Sequence, residues 1–140
     1  MNQILQNNEL LSVRCEEVSL EEGYEIANKL LSAMPTYAVG LAANQIGIPK
    51  RVCVIDVTKS MCLINPKIIK ASGSVLYREG CVSFPGEEVV TQRFSSITIL
   101  ADNYAAPLTF NKENLLECVC VQHEIDHLNG VTMFDRQHKK

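Results

Sequence analysis

An α+β fold with a mostly antiparallel sheet is predicted from this sequence by three observations. Helical spacing occurs in two places, near residues 19–34 and 114–129. The stretch between them is a run of short β-branched segments, and no strand–helix–strand alternation interrupts it. The 140 residues are 46% hydrophobic, 21% charged and 6% aromatic, which suits one globular domain over residues 1–140 and excludes disorder, collagen and coiled coil. No repeat or Pro/Gly/Ser-rich linker divides the chain.

The elements follow in order. After an irregular start, Leu20, Ile26, Ala27, Leu30 and Leu31 recur on one helical face. Ser19 with Glu22 has the form of a capping box, and Pro35 stops the helix. Residues 51–57 (RVCVIDV) read as a strand. Residues 62–70, with Asn65–Pro66 inside, read as a second extended piece that is bent or at a sheet edge. Short strands continue over 73–77, 88–93, 96–101 and 108–110. From Asn114 the period changes: Leu115, Leu116, Val119, Cys120, His123 and His127 recur at three and four. This is a last helix, capped by Asn114 and ended near Asn129–Gly130.

Thirteen Lys and Arg against sixteen Asp and Glu leave a net charge of -3, so no direct nucleic-acid binding is expected. No segment approaches the ~20 apolar residues of a membrane span, and the start, MNQILQNNEL, has no charged n-region or h-region. A cytoplasmic protein with mostly reduced thiols is the expectation.

The strongest chemical signal is the pentad HEIDH, residues 123–127. Residues four apart share a helix face, so His123 and His127 can bind one metal ion with Glu124 beside its open position, placed to take a proton from bound water. A metal brings the pKa of such water toward ~7, which yields a hydroxide nucleophile. The candidate third ligand is Cys81, in REGCVSFPG between Gly80 and Gly86. One thiolate and two imidazoles leave a coordination position open, as in catalytic centres. Cys15, Cys53, Cys62, Cys118 and Cys120 lack ligand spacing and read as small buried hydrophobes. A third segment, AVGLAANQIG from Ala38, is small-residue-rich and brings one amide, Gln45. It reads either as a substrate-binding loop or as a tight turn with Gln45 at the surface.

The three segments together resemble the peptide deformylase family, which carries G-x-G-L-A-A-x-Q, then E-G-C-L-S, then H-E-x-D-H-L-x-G. This chain reads AVGLAANQ, EGCVS and HEIDHLNG in that order. Leu63-Ile64-Asn65-Pro66, the helix lead-in at 115–122 and Asp135-Arg136 extend the likeness over most of the chain.

The resemblance implies removal of the formyl group from formylmethionyl nascent polypeptides, with attack by a metal-bound hydroxide and release of formate. It implies a sheet packed around a central metal-binding helix. Cys81, His123 and His127 would hold the metal, Fe²⁺ natively, with Zn²⁺, Ni²⁺ or Co²⁺ able to substitute. Glu124 would be general base and then acid, while Gln45 and the Val82 N–H would donate to the formyl oxygen. Val39 and Gly40 would pair with the substrate main chain. Val39 together with Leu116, Val119, Cys120 and His123, the last four sharing one helix face, would receive the methionine side chain. Arg93 is a further candidate for the substrate main chain, a partner of Glu79 or Asp126, or an exposed strand end. Glu79 and Asp126 either orient ligands or hold local turns. His138 is expected in a frayed tail.

A monomer acting near the ribosome, without membrane binding, is expected. Ala38 stands where the family has its first glycine and Val82 where it has leucine, and the short stretch after Gly130 resembles short phage-encoded members. Two other readings are weaker. A zinc peptidase with H-E-x-x-H takes a downstream third ligand, and here no carboxylate follows His127 before Asp135. A structural metal site, or an inactive binding relative, leaves Glu124 and Gln45 unexplained.

Overall fold

Ser19 opens α1 (Leu20–Ala33) by accepting a hydrogen bond from the Glu22 N–H at 3.2 Å. The helix runs through Gly23 because a Cβ there would lie 2.7 Å from Ile64 Cδ1. The missing side chain lets the helix close onto its neighbouring strand. These positions come from a computed structural model, which describes residues 3–139.

Three antiparallel sheets follow. The first has the order β1 (Gly40–Ala42), β2 (Val52–Asp56), β3 (Ser60–Ile64). The second has the order β4 (Lys67–Ser72), β7 (Ser96–Leu100), β8 (Leu108–Asn111). Between β4 and β7 in the chain, β5 (Val75–Gly80) and β6 (Glu88–Arg93) form a hairpin sheet of their own. α2 (Leu115–Leu128) is capped by Asn114, which accepts from the Glu117 N–H at 3.1 Å. It ends at Asn129, followed by Gly130 at φ 76°. The α+β class with antiparallel pairing is therefore as the sequence predicts.

The period-2 rule explains why β2 is apolar on both faces. Cys53 and Ile55 pack with α2 residues Val121, Ile125 and Leu128. Val52 and Val54 pack with α1 residues Ile26 and Leu30. The first sheet is thus sandwiched between the helices. α2 is central, with eleven successive buried residues from Cys118 to Leu128, and polar side chains there must find partners inside the protein. Arg51, itself buried, supplies one, donating to the Leu128 carbonyl at 2.8 Å at the negative end of the helix.

Several elements differ from expectation. The extended piece at 62–70 is two strands in different sheets, because Asn65 turns the chain at φ 51°. Its amide holds that turn through Val18 and Asp102. The segment read as a loop or turn after Ala38 is the short strand β1 followed by a 3-10 turn, Ala43–Ile46. Gly73, at φ 73°, lies in the link between β4 and β5, and β5 runs on to Gly80, directly before Cys81. A 3-10 turn, Glu9–Ser12, orders part of the irregular start. The tail is not frayed at His138, whose N–H donates to the Val90 carbonyl at 2.7 Å. Among the described residues no helix is long and apolar enough to cross a membrane.

Candidate metal centre and peptide groove

Helical geometry sets the two histidines one turn apart on α2, and the sheet arrangement brings Cys81 to them. His123 Nε2 and His127 Nε2 lie 3.2 Å apart, and Cys81 Sγ lies 3.4 Å from His127 Nε2. The three ligand atoms fall within 4.8 Å of one another. Tetrahedral coordination with bonds of ~2.1 Å to nitrogen and ~2.3 Å to sulfur gives donor separations of this size. Among the described residues Glu124 Oε1 is buried without a hydrogen-bond partner, as expected of a group whose partner is a substrate or a water held at the centre. The residues therefore fit a divalent metal.

The orientation of His123 is fixed from behind. Its Nδ1 meets Glu79 Oε1 at 2.7 Å, which leaves Nε2 as the ligand atom. Glu79 also accepts from Arg93 at 2.6 and 2.9 Å and from the Thr91 hydroxyl. Arg93 reaches on to Asp126, which Arg136 holds at 3.0 and 3.1 Å. Among the alternatives for Arg93, the structure places it with Glu79 and Asp126 and not at the groove or in water. Its side chain is 2% exposed, and each of its three guanidinium nitrogens meets a carboxylate.

Burial alone would raise the Glu79 carboxyl, but the hydrogen bonds from His123 and Arg93 hold it down at about 2. Burial pushes Glu124 up to about 7, opposed by the charge of His123 and reinforced by Glu79. Burial, then the charge of His123, keeps His127 neutral, the form that binds metal. Burial disfavours protonation of His123, yet the Cys81 sulfur and Glu79 carboxylate raise it well above the ordinary value. Burial also raises Cys53 and Cys120 far above the usual thiol range, with Cys15 at about 11, so these remain thiols. All six cysteines are free. Cys118 and Cys120 point different ways, toward the Phe94 and Val39 carbonyls.

Gln45 is buried, not at the surface. Its Oε1 accepts from the Ala42 N–H at 2.9 Å, and its Nε2 donates to Ser83 Oγ at 3.0 Å and lies 3.5 Å from Cys81 Sγ. The Val82 N–H is not engaged by any main-chain carbonyl among the described residues. Ala38 takes a negative φ, so the missing glycine does not strain the chain there.

A groove of about 720 Å³ opens over this centre. It is lined by Val39 and Gly40 of the β1 segment, by Cys81 and Val82, and by Leu116, Val119, Cys120, His123 and Glu124 of α2. Gly40 is needed, since a Cβ there would lie 2.7 Å from Glu124 Oε2 and 2.9 Å from Cys120 Sγ. Two positions carried no assigned role in the sequence. Ser83, fully buried, anchors Gln45, and Asn44 donates to the His127 carbonyl at 2.7 Å. Both stand inside the quoted motifs, the one signal that could have found them.

The sequence model of the polypeptide deformylase family matches residues 1–140. A peptide deformylase of Aquifex aeolicus is 37% identical over 145 residues, covering 95% of this chain and 85% of that protein. The match to a Helicobacter pylori peptide deformylase, 42% identical over 107 residues, spans 62% of that relative and 70% of this chain. The crystal structure of a probable peptide deformylase from Synechococcus phage S-SSM7 superposes with a TM-score of 0.88 at 33% identity, covering 97% of this chain and 99% of that one. A peptide deformylase from Acinetobacter baumannii with Met-Ala-Ser bound superposes with a TM-score of 0.87 at 25% identity, over 97% and 99% of the two chains. The order of the three motifs, the donor triad they assemble and these likenesses agree, and the chain belongs to the polypeptide deformylase family of metal-dependent hydrolases.

Proposed function

We propose that this chain hydrolyses the N-terminal formyl group of formylmethionyl nascent polypeptides and releases formate. One observation carries the reading: Glu124, buried in the groove lining with Oε1 unpartnered, stands beside three converging metal-ligand atoms. A divalent metal held by Cys81, His123 and His127 supplies a Lewis acid that acidifies water and polarises the formyl carbonyl. Glu124 takes the proton from the attacking water and gives it to the departing amine. A carboxyl at about 7 is suited to both transfers at neutral pH. The Gln45 amide and the Val82 N–H donate to the formyl oxygen as charge grows there, each worth about 3 kcal/mol to the transition state.

The substrate main chain adds to the edge strand β1 at Val39 and Gly40, since among the described residues β1 pairs with β2 alone. The methionine side chain lies over Leu116, Val119 and Cys120. The Met-Ala-Ser bound by the Acinetobacter relative is the kind of product this groove would hold. Fe²⁺ is the native ion in this reading, and Zn²⁺, Ni²⁺ or Co²⁺ fills the same donor set, since one thiolate and two imidazoles accept any of them. The protein works as a single catalytic domain over residues 1–140, monomeric, in the cytoplasm, on chains emerging from the ribosome.

The test is formate release from formyl-Met-Ala-Ser by protein reconstituted anaerobically with Fe²⁺ or Zn²⁺, with Glu124→Gln as control. Turnover that needs both metal and Glu124 is expected. No formate with either ion, despite one bound ion per chain, overturns the reading.

A further inference from the structure

Residues 4–15 touch all three segments that build the centre. The Leu5 N–H donates to the Gln45 carbonyl at 2.6 Å, the Asn7 N–H to the Ser83 carbonyl at 3.1 Å, and the Cys15 N–H to the Leu128 carbonyl at 2.8 Å, next to His127. Asn44 reinforces the same tie, donating to the Leu10 carbonyl at 3.3 Å as well as to His127. The arm is anchored by packing. Leu11 is fully buried, and Ile4 joins Val82 against the α1 cluster. A Cβ on Gly130 would lie 2.7 Å from the Ser12 carbonyl oxygen, so the arm runs tight against the turn that ends α2.

The joined segments belong to separate parts of the fold. Gln45 follows β1 of the first sheet, Cys81 follows β5 of the two-stranded hairpin sheet, which Glu79 and Arg93 tie to α2, and the histidines lie on α2. A two-stranded hairpin is marginal by itself, so the position of the Cys81 turn depends on what grips it from outside. Gln45 and Ser83 are already linked by their side chains, and the main-chain carbonyls of the same two residues are both taken by the arm.

We propose that the N-terminal arm, residues 4–8, is a positioning element for the reaction: its Leu5 and Asn7 N–H groups clamp the Gln45 turn to the Ser83 turn and so hold Cys81 at ligand distance from the histidines. The arm touches no reacting atom. Its two bonds are made by main-chain N–H groups, which makes proline the informative substitution at Leu5. Asn7, at φ 47°, would be strained by proline for an unrelated reason.

The proposal rests on the deformylase reading only for turnover, because loss of metal can be followed without substrate. In the full-length Zn²⁺-loaded protein, Leu5→Pro is expected to raise the rate of Zn²⁺ release to a chelator by about tenfold or more. The kcat for formyl-Met-Ala-Ser should fall by a similar factor with a smaller change in KM. Leu5→Ala, which keeps the N–H, should stay within about threefold of wild type on both. Release and kcat in Leu5→Pro that match those of Leu5→Ala overturn the proposal. Where Leu5→Pro does not fold, amide exchange in the wild-type metal-loaded protein decides: protection of the Leu5 and Asn7 amides by about a hundredfold or more supports the clamp, and exchange at the free-chain rate overturns it. Absence of formate from wild type bears on the function alone and leaves release and exchange to judge the arm.

Discussion

His123 Nδ1 lies 2.7 Å from Glu79 Oε1, and the same carboxylate accepts from Arg93. One buried carboxylate therefore orients His123, a proposed metal ligand, and neutralises a guanidinium whose side chain is 2% exposed. Removing it as Glu79→Ala leaves Arg93 with one fewer partner and frees the His123 ring. A stability loss of about 3 kcal/mol or more is expected by urea unfolding. A 10–100-fold, order-of-magnitude drop in metal affinity should appear by chelator competition. An affinity equal to wild type would show that Glu79 serves the fold alone.

The same carboxylate predicts a pH dependence. Its folded value of about 2 lies below the ordinary 4.5, so its contribution is fully present above pH ~4.5 and is lost as pH falls toward 2. The difference in unfolding free energy between wild type and Glu79→Gln should shrink by about 3 kcal/mol over that window. A difference that stays constant between pH 5 and 2, on the order of those limits, contradicts the depressed value.

Gly40 is where backbone and chemistry meet most closely. In Gly40→Ala the new methyl group falls on Glu124 Oε2 and Cys120 Sγ, both side-chain atoms that can shift. The fold should survive at a cost of about 1–3 kcal/mol. Displacement of the carboxylate should lower kcat by about tenfold or more, read from steady-state formate release. Unchanged kcat would mean that the position of Glu124 is not critical.

Glu124 and Cys81 separate turnover from metal binding. Glu124→Gln keeps the donor triad and should retain one metal per chain by elemental analysis while losing about 10²–10⁴ in kcat. Cys81→Ala should lose the metal at neutral pH, since two histidines alone remain. Metal occupancy equal to wild type in Cys81→Ala removes Cys81 from the donor set, and substantial activity in Glu124→Gln removes Glu124 as the base.

What could be read from the sequence lay at short range. The 3.6-residue period puts His123 and His127 on one face of α2, and Ser19 and Asn114 cap the helices where the sequence placed them, because capping and helical spacing involve neighbours within four residues. The α+β class and the candidate donor residues, Cys81, His123 and His127, followed from such signals, joined by the order of the three motifs. Tertiary structure decided the rest. Asn65 splits one predicted strand between two sheets because its amide finds Val18 and Asp102, 47 and 37 residues away in the chain. Arg93 faces Glu79 and Asp126 because β6 packs beside a helix buried on all sides, where a charge is tolerated only with its partners. Gln45 is internal because its amide finds the Ala42 N–H and Ser83 Oγ, and the N-terminal arm crosses it through the Leu5 N–H. Hydrogen-bond partners distant in sequence are chosen by how sheets and helices pack, and no local period encodes that choice.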